Sequence, residues 1–297
     1  MKKSVLVLMA TYNGEKYLND QLKSIFNQTG VLVKVLVRDD GSTDNTISIL
    51  EDWSKTNNLE WYTGEHLNVQ FGFYDLMVHA KNYNYNYFAF SDQDDIWDSD
   101  KLYIALQHLQ EADNLKPSLY YCGQKLVDEN LNYLDTHYLN TKRNLKTKFI
   151  FSDIAGCTAV FNKDLLLKVI AYKPSYMMMH DTWILKVCLS LGGEVFVDKN
   201  PHMNYRQHGN NTVGLSNALS SKIKRANTYI FDYDLKTQMS ELLAGYEKFI
   251  VPEYLEVINK IINAKKNKKY FFDKKKFDFY DKGLNLTFRI KVLLNKL

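Results

Sequence analysis

The sequence predicts an α/β protein built on a mostly parallel sheet with helices on both faces. Three observations predict it. Short apolar runs alternate with segments of helical spacing through residues 4–112, in the order βαβαβαβα. Those runs are apolar nearly throughout, as strands buried on both faces are. Polar, acidic clusters follow the strands directly, where an open α/β sheet binds its ligands.

The elements can be taken in order. Ser4 to Met9 (SVLVLM) is a strand. Lys16 to Asn27 places Tyr17, Leu18, Leu22, Ile25 and Phe26 at helical spacing. Val31 to Val37 is a second strand, and Asp44 to Trp53, with Ile47, Ile49, Leu50 and Trp53, a second helix. Leu59 to Tyr62 reads as a strand, Phe71 to Lys81 as a helix, Tyr87 to Phe90 as a strand and Ser99 to Ala112 as a helix. Beyond these the pattern is less regular. Leu119 to Cys122, Thr158 to Phe161 and Glu194 to Val197 read as strands, and His180 to Leu191 as a helix. From Ser216 the pattern is helical and then basic, so a boundary is expected near residue 215.

Composition narrows the class. The 297 residues are 45% hydrophobic and 14% aromatic, enough for a sizeable core. Met1-Lys2-Lys3 is followed by only a short apolar run, so no cleavable leader is expected, and no apolar run reaches the ~20 residues of a membrane-spanning helix. The three cysteines are odd in number and far apart, which suits a reducing compartment and argues against a disulfide framework. The net charge of +4 is unevenly spread. Residues 265–297 hold eleven Lys/Arg against three Asp/Glu, a net of +8 that leaves −4 for the rest. No general nucleic-acid surface is expected.

Three polar clusters follow predicted strands: Ala10-Thr11-Tyr12-Asn13-Gly14, Arg38-Asp39-Asp40-Gly41-Ser42-Thr43-Asp44, and Ser91-Asp92-Gln93-Asp94-Asp95. Parallel packing can bring all three to one sheet edge. Each also has a plainer reading. The first could be a turn, and in the second Ser42 or Thr43 could cap a helix. Neither explains Asp39 and Asp40. In the third, three carboxylates within four positions repel one another unless a metal, a basic ligand or solvent neutralises them. Carboxylates spaced D-x-D at a strand end can hold Mn²⁺ or Mg²⁺ through one or two oxygens, leaving positions for water and phosphates. There is no GxGxxG and no GxxxxGK[ST], so neither a dinucleotide turn nor a P-loop is present.

The ordered motifs MATYNGEKYL, VLVRDDGSTDNT and FSDQDDIW resemble glycosyltransferase family 2, and the resemblance spans roughly residues 1–215. It implies a GT-A fold for residues 1–215, with residues 216–297 a helical, basic extension. The variant SDQDDIW with the later YRQHGNN is similar to bacterial rhamnosyltransferases of surface-polysaccharide assembly. The resemblance implies that Ala10, Thr11, Tyr12 and Asp40 hold the nucleotide base. Asp39 would support their loop, Asp92 would lie near the ribose, and Asp94 would ligate the metal. Asp95 would sit near the sugar or acceptor. Asp181, in Met179-His180-Asp181-Thr182-Trp183, matches the catalytic base of inverting members, with a helix N-cap as its plain alternative. His180 departs from the usual acidic residue there, and a structural hydrogen bond is expected of it. Arg206 or His208 would contact the diphosphate, and His208 could ligate the metal. Trp97 would pack in the core or line the sugar pocket. Cys157 would lie near the acceptor site and is not read as a reactive thiol.

The activity so implied is inverting, metal-dependent transfer of a sugar. The donor would be dTDP-L-rhamnose and the acceptor a polyprenyl-diphosphate-linked or growing glycan. The same fold with a UDP-hexose donor, or a non-catalytic nucleotide-binding or membrane scaffold, are the alternatives. The tail interleaves two lysine clusters, Lys265 to Lys269 and Lys274 to Lys276, with Phe271, Phe272, Phe277, Phe279 and Tyr280. That combination suits an anionic membrane surface, on the cytoplasmic face. A charged helix with one apolar face on the catalytic domain, or a homo-oligomer contact, is the plainer alternative.

Overall fold

A computed structural model describes residues 2–113, 115–209 and 226–297. The expected boundary near residue 215, and Asn210 and Asn211 of the YRQHGNN motif, lie outside the described residues. Among the described residues the sheet contains nine strands: β1 (Lys3–Thr11), β2 (Val31–Asp39), β3 (Leu59–Thr63), β4 (Tyr87–Ser91), β5 (Ile96–Trp97), β6 (Ser118–Val127), β7 (Tyr133–His137), β8 (Val160–Asn162) and β9 (Glu194–Arg206). Their order is β3-β2-β1-β4-β8-β6-β9-β5, with β7 beside β6. The β3-β2-β1-β4 half is parallel, as expected. The β8 strand runs antiparallel to both β4 and β6, whereas β6 and β9 are parallel.

Alternation along the strands divides the core into two layers. Leu6, Leu8, Phe88 and Phe90 face one layer, and Val5, Val7, Met9 and Ala89 face the other. Helices α1 (Leu18–Phe26), α2 (Thr46–Thr56) and α4 (Lys101–Leu109) cover the second layer. Helices α3 (Val69–Ala80), α5 (Leu145–Ile150), α6 (Lys163–Ile170) and α7 (His180–Ser190) cover the first. Every residue of α7 is buried, which marks it as a core helix rather than an amphipathic one.

The first layer continues into the C-terminal helices α8 (Leu235–Tyr246), α9 (Pro252–Ile262), α10 (Lys268–Phe272) and α11 (Lys282–Leu293). Asp234 and Asp281 cap α8 and α11 by accepting from Thr237 N (2.8 Å) and Leu284 N (3.1 Å). The tail aromatics are largely spent on this packing. Phe271, Phe279 and Phe288 are buried, and Phe279 meets Phe151 edge-on at 5.0 Å. The exposed apolar residues of the tail are Phe272, Tyr280, Leu286, Leu293 and Leu294.

Register positions the site. Thr11 pairs with Asp39 across β1 and β2, and Met9 with Ser91 across β1 and β4. All three polar clusters therefore leave the sheet at one edge. The β9 strand runs well past Val197, where the apolar pattern ends, and reaches Arg206. Its register slips beside Gly123, where Pro201 sits, an irregularity that accommodates a residue without an N–H. The short β5 pairs Ile96 and Trp97 with Asn204 and Met203, which brings the end of β9 against the third cluster.

Candidate active site

The loops after β1 and β2 are fastened together. Asn13 N donates to Ser42 Oγ (2.8 Å), Thr43 N to Asn13 Oδ1 (2.8 Å) and Gly14 N to Thr46 Oγ1 (2.7 Å). Asp39 is fully buried and accepts four hydrogen bonds, from Thr11 Oγ1 (2.9 Å), Gly41 N (3.0 Å), Ser42 N (2.8 Å) and Ser42 Oγ (2.6 Å). Gly41 takes φ +84°, which lets the chain turn back over that carboxylate. The capping reading of Ser42 and Thr43 does not hold. Helix α2 begins at Thr46, whose N–H donates to Asp44 Oδ1 at 3.0 Å, while Ser42 serves Asp39 and Asn13.

Asp40 lies against Arg38 in a buried ion pair, and Arg38 also binds Asp75 Oδ2 (3.0 Å) and Glu65 O (2.6 Å). Tyr12 is half exposed, its ring 4.8 Å from His66, whose Nδ1 is 3.3 Å from Asp40 O. The Thr11 side chain turns inward to Asp39, and Ala10 is partly buried behind it. The Gln93 amide closes this corner, accepting from Tyr12 N (2.9 Å) and donating to Tyr12 O (3.0 Å).

The three acids of the third cluster have separate surroundings. Asp94 and His208 meet, with Oδ2 and Nε2 2.7 Å apart. Arg206 lies beneath them, donating from Nε to Asp94 O (2.8 Å) and from Nη1 to Glu129 O (2.6 Å), its guanidinium 4.5 Å from the Tyr17 ring centre. Asp95 is fully buried, and its Oδ1 accepts from Arg206 N (3.2 Å). It supports the loop from below. Trp97 is likewise buried, so the core reading describes it better than a sugar-pocket wall. Burial, then the charges of Asp94 and Asp181, pushes Asp92 up to about 7. Burial also drives Asp95 well above the carboxylate range.

A cation absent from the sequence reading partly answers this charge. Lys101 is fully buried, donates to Cys157 O (2.7 Å) and lies 3.2 Å from the Trp97 ring centre. Burial lowers it to about 8, while Cys122, Cys157, Asp95 and Asp92 pull it the other way. A signal was available: Lys101, Ala105 and Leu109 share one face of α4 that is otherwise apolar. Asp92, Asp95 and Cys157 also form a group whose ligand atoms lie within 4.8 Å of one another. The adjacent Lys101 disfavours a cation there. The Asp94 carboxylate and His208 imidazole, 2.7 Å apart, are a separate oxygen and nitrogen pair able to ligate a divalent cation.

Asp181 lies in the first turn of α7, nearly buried, with Oδ1 accepting from Thr182 N (2.5 Å). Burial raises its pKa to about 6, against hydrogen bonds from Thr182 and Gly156 that lower it. Its neighbour His180 packs on Phe90, two residues before Asp92, and against Gly156, next to Cys157, whose Sγ groups with Asp92 and Asp95, so the start of α7 adjoins the acidic cluster. His180 makes ring contacts in place of the expected hydrogen bond. It stacks on Phe73 (3.9 Å) and meets Phe90 edge-on (5.0 Å), and among the described residues neither ring nitrogen has a partner. Burial lowers it to about 3, so it is neutral. A Cβ at position 156 would come 2.4 Å from its Nε2, which makes Gly156 a steric requirement. Cys157 is buried beside Asp92 and Asp95, and burial raises its thiol far above the reactive range.

Residues 6–170 match the Glycosyl transferase family 2 profile, more than half of the chain. The chain belongs to glycosyltransferase family 2. It is 32% identical over 233 residues, 73% of this chain and 77% of the relative, to a dTDP-rhamnosyl transferase RfbG of Shigella flexneri. It is 26% identical over 237 residues, 75% of this chain and 72% of the relative, to an uncharacterized glycosyltransferase of Haemophilus influenzae. Residues 1–349 of TarS from S. aureus, solved with UDP-GlcNAc, superpose with a TM-score of 0.61 at 17% identity, covering 91% of this chain and 73% of that one. A mannosyltransferase from Pyrobaculum calidifontis, solved with GDP-Man and Mn²⁺, gives 0.54 at 16% identity, covering 99% and 88%. The fold is GT-A, and the chain is a glycosyltransferase.

Proposed function

We propose that the protein transfers L-rhamnose from dTDP-β-L-rhamnose, with inversion, onto a lipid-linked or growing cell-surface glycan. The observation that carries this reading is the meeting of Asp94 and His208 at the strand ends, beside Asp92 and next to the start of α7 that bears Asp181. The similarity to a dTDP-rhamnosyl transferase supports the donor.

Each residue then has a task. Tyr12, beside His66, offers a ring for the base, and Asp40 a carboxylate for its N3–H. Asp94 and His208 would hold Mn²⁺ or Mg²⁺, which when bound offsets charge on the diphosphate. Asp181 takes the proton of the acceptor hydroxyl as that oxygen bonds to C1. The C1–O bond to the diphosphate breaks in the same displacement, and dTDP leaves. Arg206, fastened to the Asp94 and Glu129 carbonyls, positions the Asp94 loop. The neutral His180 and its aromatic stack form the floor under the base.

Among the described residues no helix is long and apolar enough to cross a membrane. Peripheral association with the inner face of the membrane would fall to the exposed Leu286, Leu293 and Leu294 among Lys282, Arg289 and Lys296. Calorimetric titration tests the donor assignment. With Mn²⁺ present, dTDP-rhamnose should bind at least tenfold more tightly than UDP-GlcNAc, and Asp40→Asn should weaken it. Equal affinity for both donors contradicts the assignment.

A further inference from the structure

Asp181 starts α7, and the chain enters α7 through the loop 171–179, which follows α6. The α8 helix, far along the chain, fastens that loop. Gln238 is fully buried, and its Oε1 accepts from Met178 N at 2.8 Å, three residues before Asp181. Glu241, also buried, accepts from Tyr172 Oη (2.7 Å), Ser175 N (3.1 Å) and Ser175 Oγ. Just before α8, Asp234 N donates to Tyr176 Oη at 2.9 Å. The α8 helix is itself held from the C-terminal end. Lys291 of α11 is buried and donates to three main-chain carbonyls in the approach to α8, Tyr229 O (2.8 Å), Ile230 O (2.9 Å) and Tyr233 O (2.6 Å). At the far end of α7, Val251 N donates to Ser190 O at 2.9 Å. The helix bearing the base is therefore gripped at both ends by the C-terminal region.

We propose that Gln238 and Glu241 are positioning residues for Asp181, so that the C-terminal helices form part of the transfer machinery. The inference builds on Asp181 being the base. A carboxylate must reach the acceptor hydroxyl within hydrogen-bond distance, and a misplacement of about 1 Å costs on the order of 100-fold in rate. Gln238 sets the loop from which that carboxylate is presented. Glu241 sets the loop's path one turn earlier. Neither residue belongs to the donor corner built from Tyr12, Asp40 and Asp94, so donor affinity should not depend on them.

The experiment is a double-mutant cycle on the full chain. It uses radiolabelled dTDP-rhamnose, glycan acceptor and Mn²⁺, with Gln238→Met, Glu241→Gln and Asp181→Asn alone and combined. Gln238→Met removes the acceptor at nearly constant volume. Glu241→Gln is milder and carries the same cycle if the first variant does not fold. Each single variant is expected to lower kcat about tenfold or more. Donor dissociation constants, measured by calorimetry, should stay within twofold. In the Asp181→Asn background the loss should vanish, because residues acting through one group are non-additive. A loss of the same factor in both backgrounds, or unchanged kcat per folded molecule, overturns the proposal. If Asp181→Asn alone transfers at the wild-type rate, the base assignment fails first and takes the positioning role with it.

Discussion

Replacing Asp181 with asparagine should make the protein more stable and less active, with a pH signature specific to this carboxyl. The group is nearly buried and titrates at about 6, against an unperturbed 3.8. The folded state thus keeps this proton to higher pH than the unfolded state does. Between about pH 4 and pH 6 folding binds protons, and stability falls as the pH rises through that window. At pH 8 the full penalty applies, about 3 kcal/mol for a carboxyl moved from 3.8 to about 6. Asparagine has the same shape and no charge. It retains one acceptor oxygen but loses one hydrogen bond, for instance that from Gly156, at about 1 kcal/mol. The net gain at pH 8 is about 2 kcal/mol, or roughly 4–8 °C in melting temperature. At pH 4.5 the remaining penalty is about 1 kcal/mol and cancels the lost bond, so both proteins should melt together. Over the same comparison the transfer rate at pH 8 should fall by about 10²–10⁴. Differential scanning calorimetry at the two pH values, with a transfer assay, checks both halves. An equal melting difference at both pH values refutes the strained-carboxyl reasoning, and an undiminished rate refutes the base.

Asp39→Ala removes the common acceptor of four hydrogen bonds and should destabilise the protein by about 3 kcal/mol or more in urea unfolding, with donor binding lost alongside. Phe288→Ala opens a cavity where Phe271, Phe277 and Phe279 converge and should cost about 3–5 kcal/mol, showing that the tail is core. Leu286→Glu with Leu293→Glu changes exposed positions only, so sedimentation with anionic vesicles should weaken while the melting temperature stays within a degree or two. Undiminished vesicle binding contradicts the membrane role of that face.

Much of the sheet, and the edge where its acidic clusters leave it, is legible in the sequence, for one physical reason. Strands buried on both faces are apolar without interruption, and Val5 to Met9 and Tyr87 to Phe90 show this plainly. Their ends mark the sheet edge at which Asp40, Asp92 and Asp94 gather. The far end of β9 was not legible. Asp198 to Tyr205 is polar and interrupted by Pro201, and it is strand only because β6 and β5 pair with it. The two-residue β5 has no periodicity to detect. Buried lysines were hidden for another reason. Lys101, Lys186 and Lys291 are satisfied by main-chain carbonyls, and a carbonyl leaves no mark in a sequence. The packing of the tail aromatics was hidden for a similar reason. Phe271, Phe277, Phe279 and Phe288 come from two helices and the segment between them, so they share no single helical face, and the surrounding lysines suggested a surface.

The central claim is that the Asp94–His208 pair and Asp181 carry out metal-assisted transfer of a rhamnosyl group. Its most direct measurement is turnover of dTDP-L-rhamnose by wild type, Asp94→Asn and Asp181→Asn, each with Mn²⁺ and again after EDTA. Wild type with Mn²⁺ should release dTDP and form an inverted glycosidic bond. EDTA or Asp94→Asn should abolish turnover, and Asp181→Asn should bind the donor yet transfer at least a hundredfold more slowly. Full turnover in EDTA, or turnover of UDP-hexoses with none of dTDP-L-rhamnose, would contradict it.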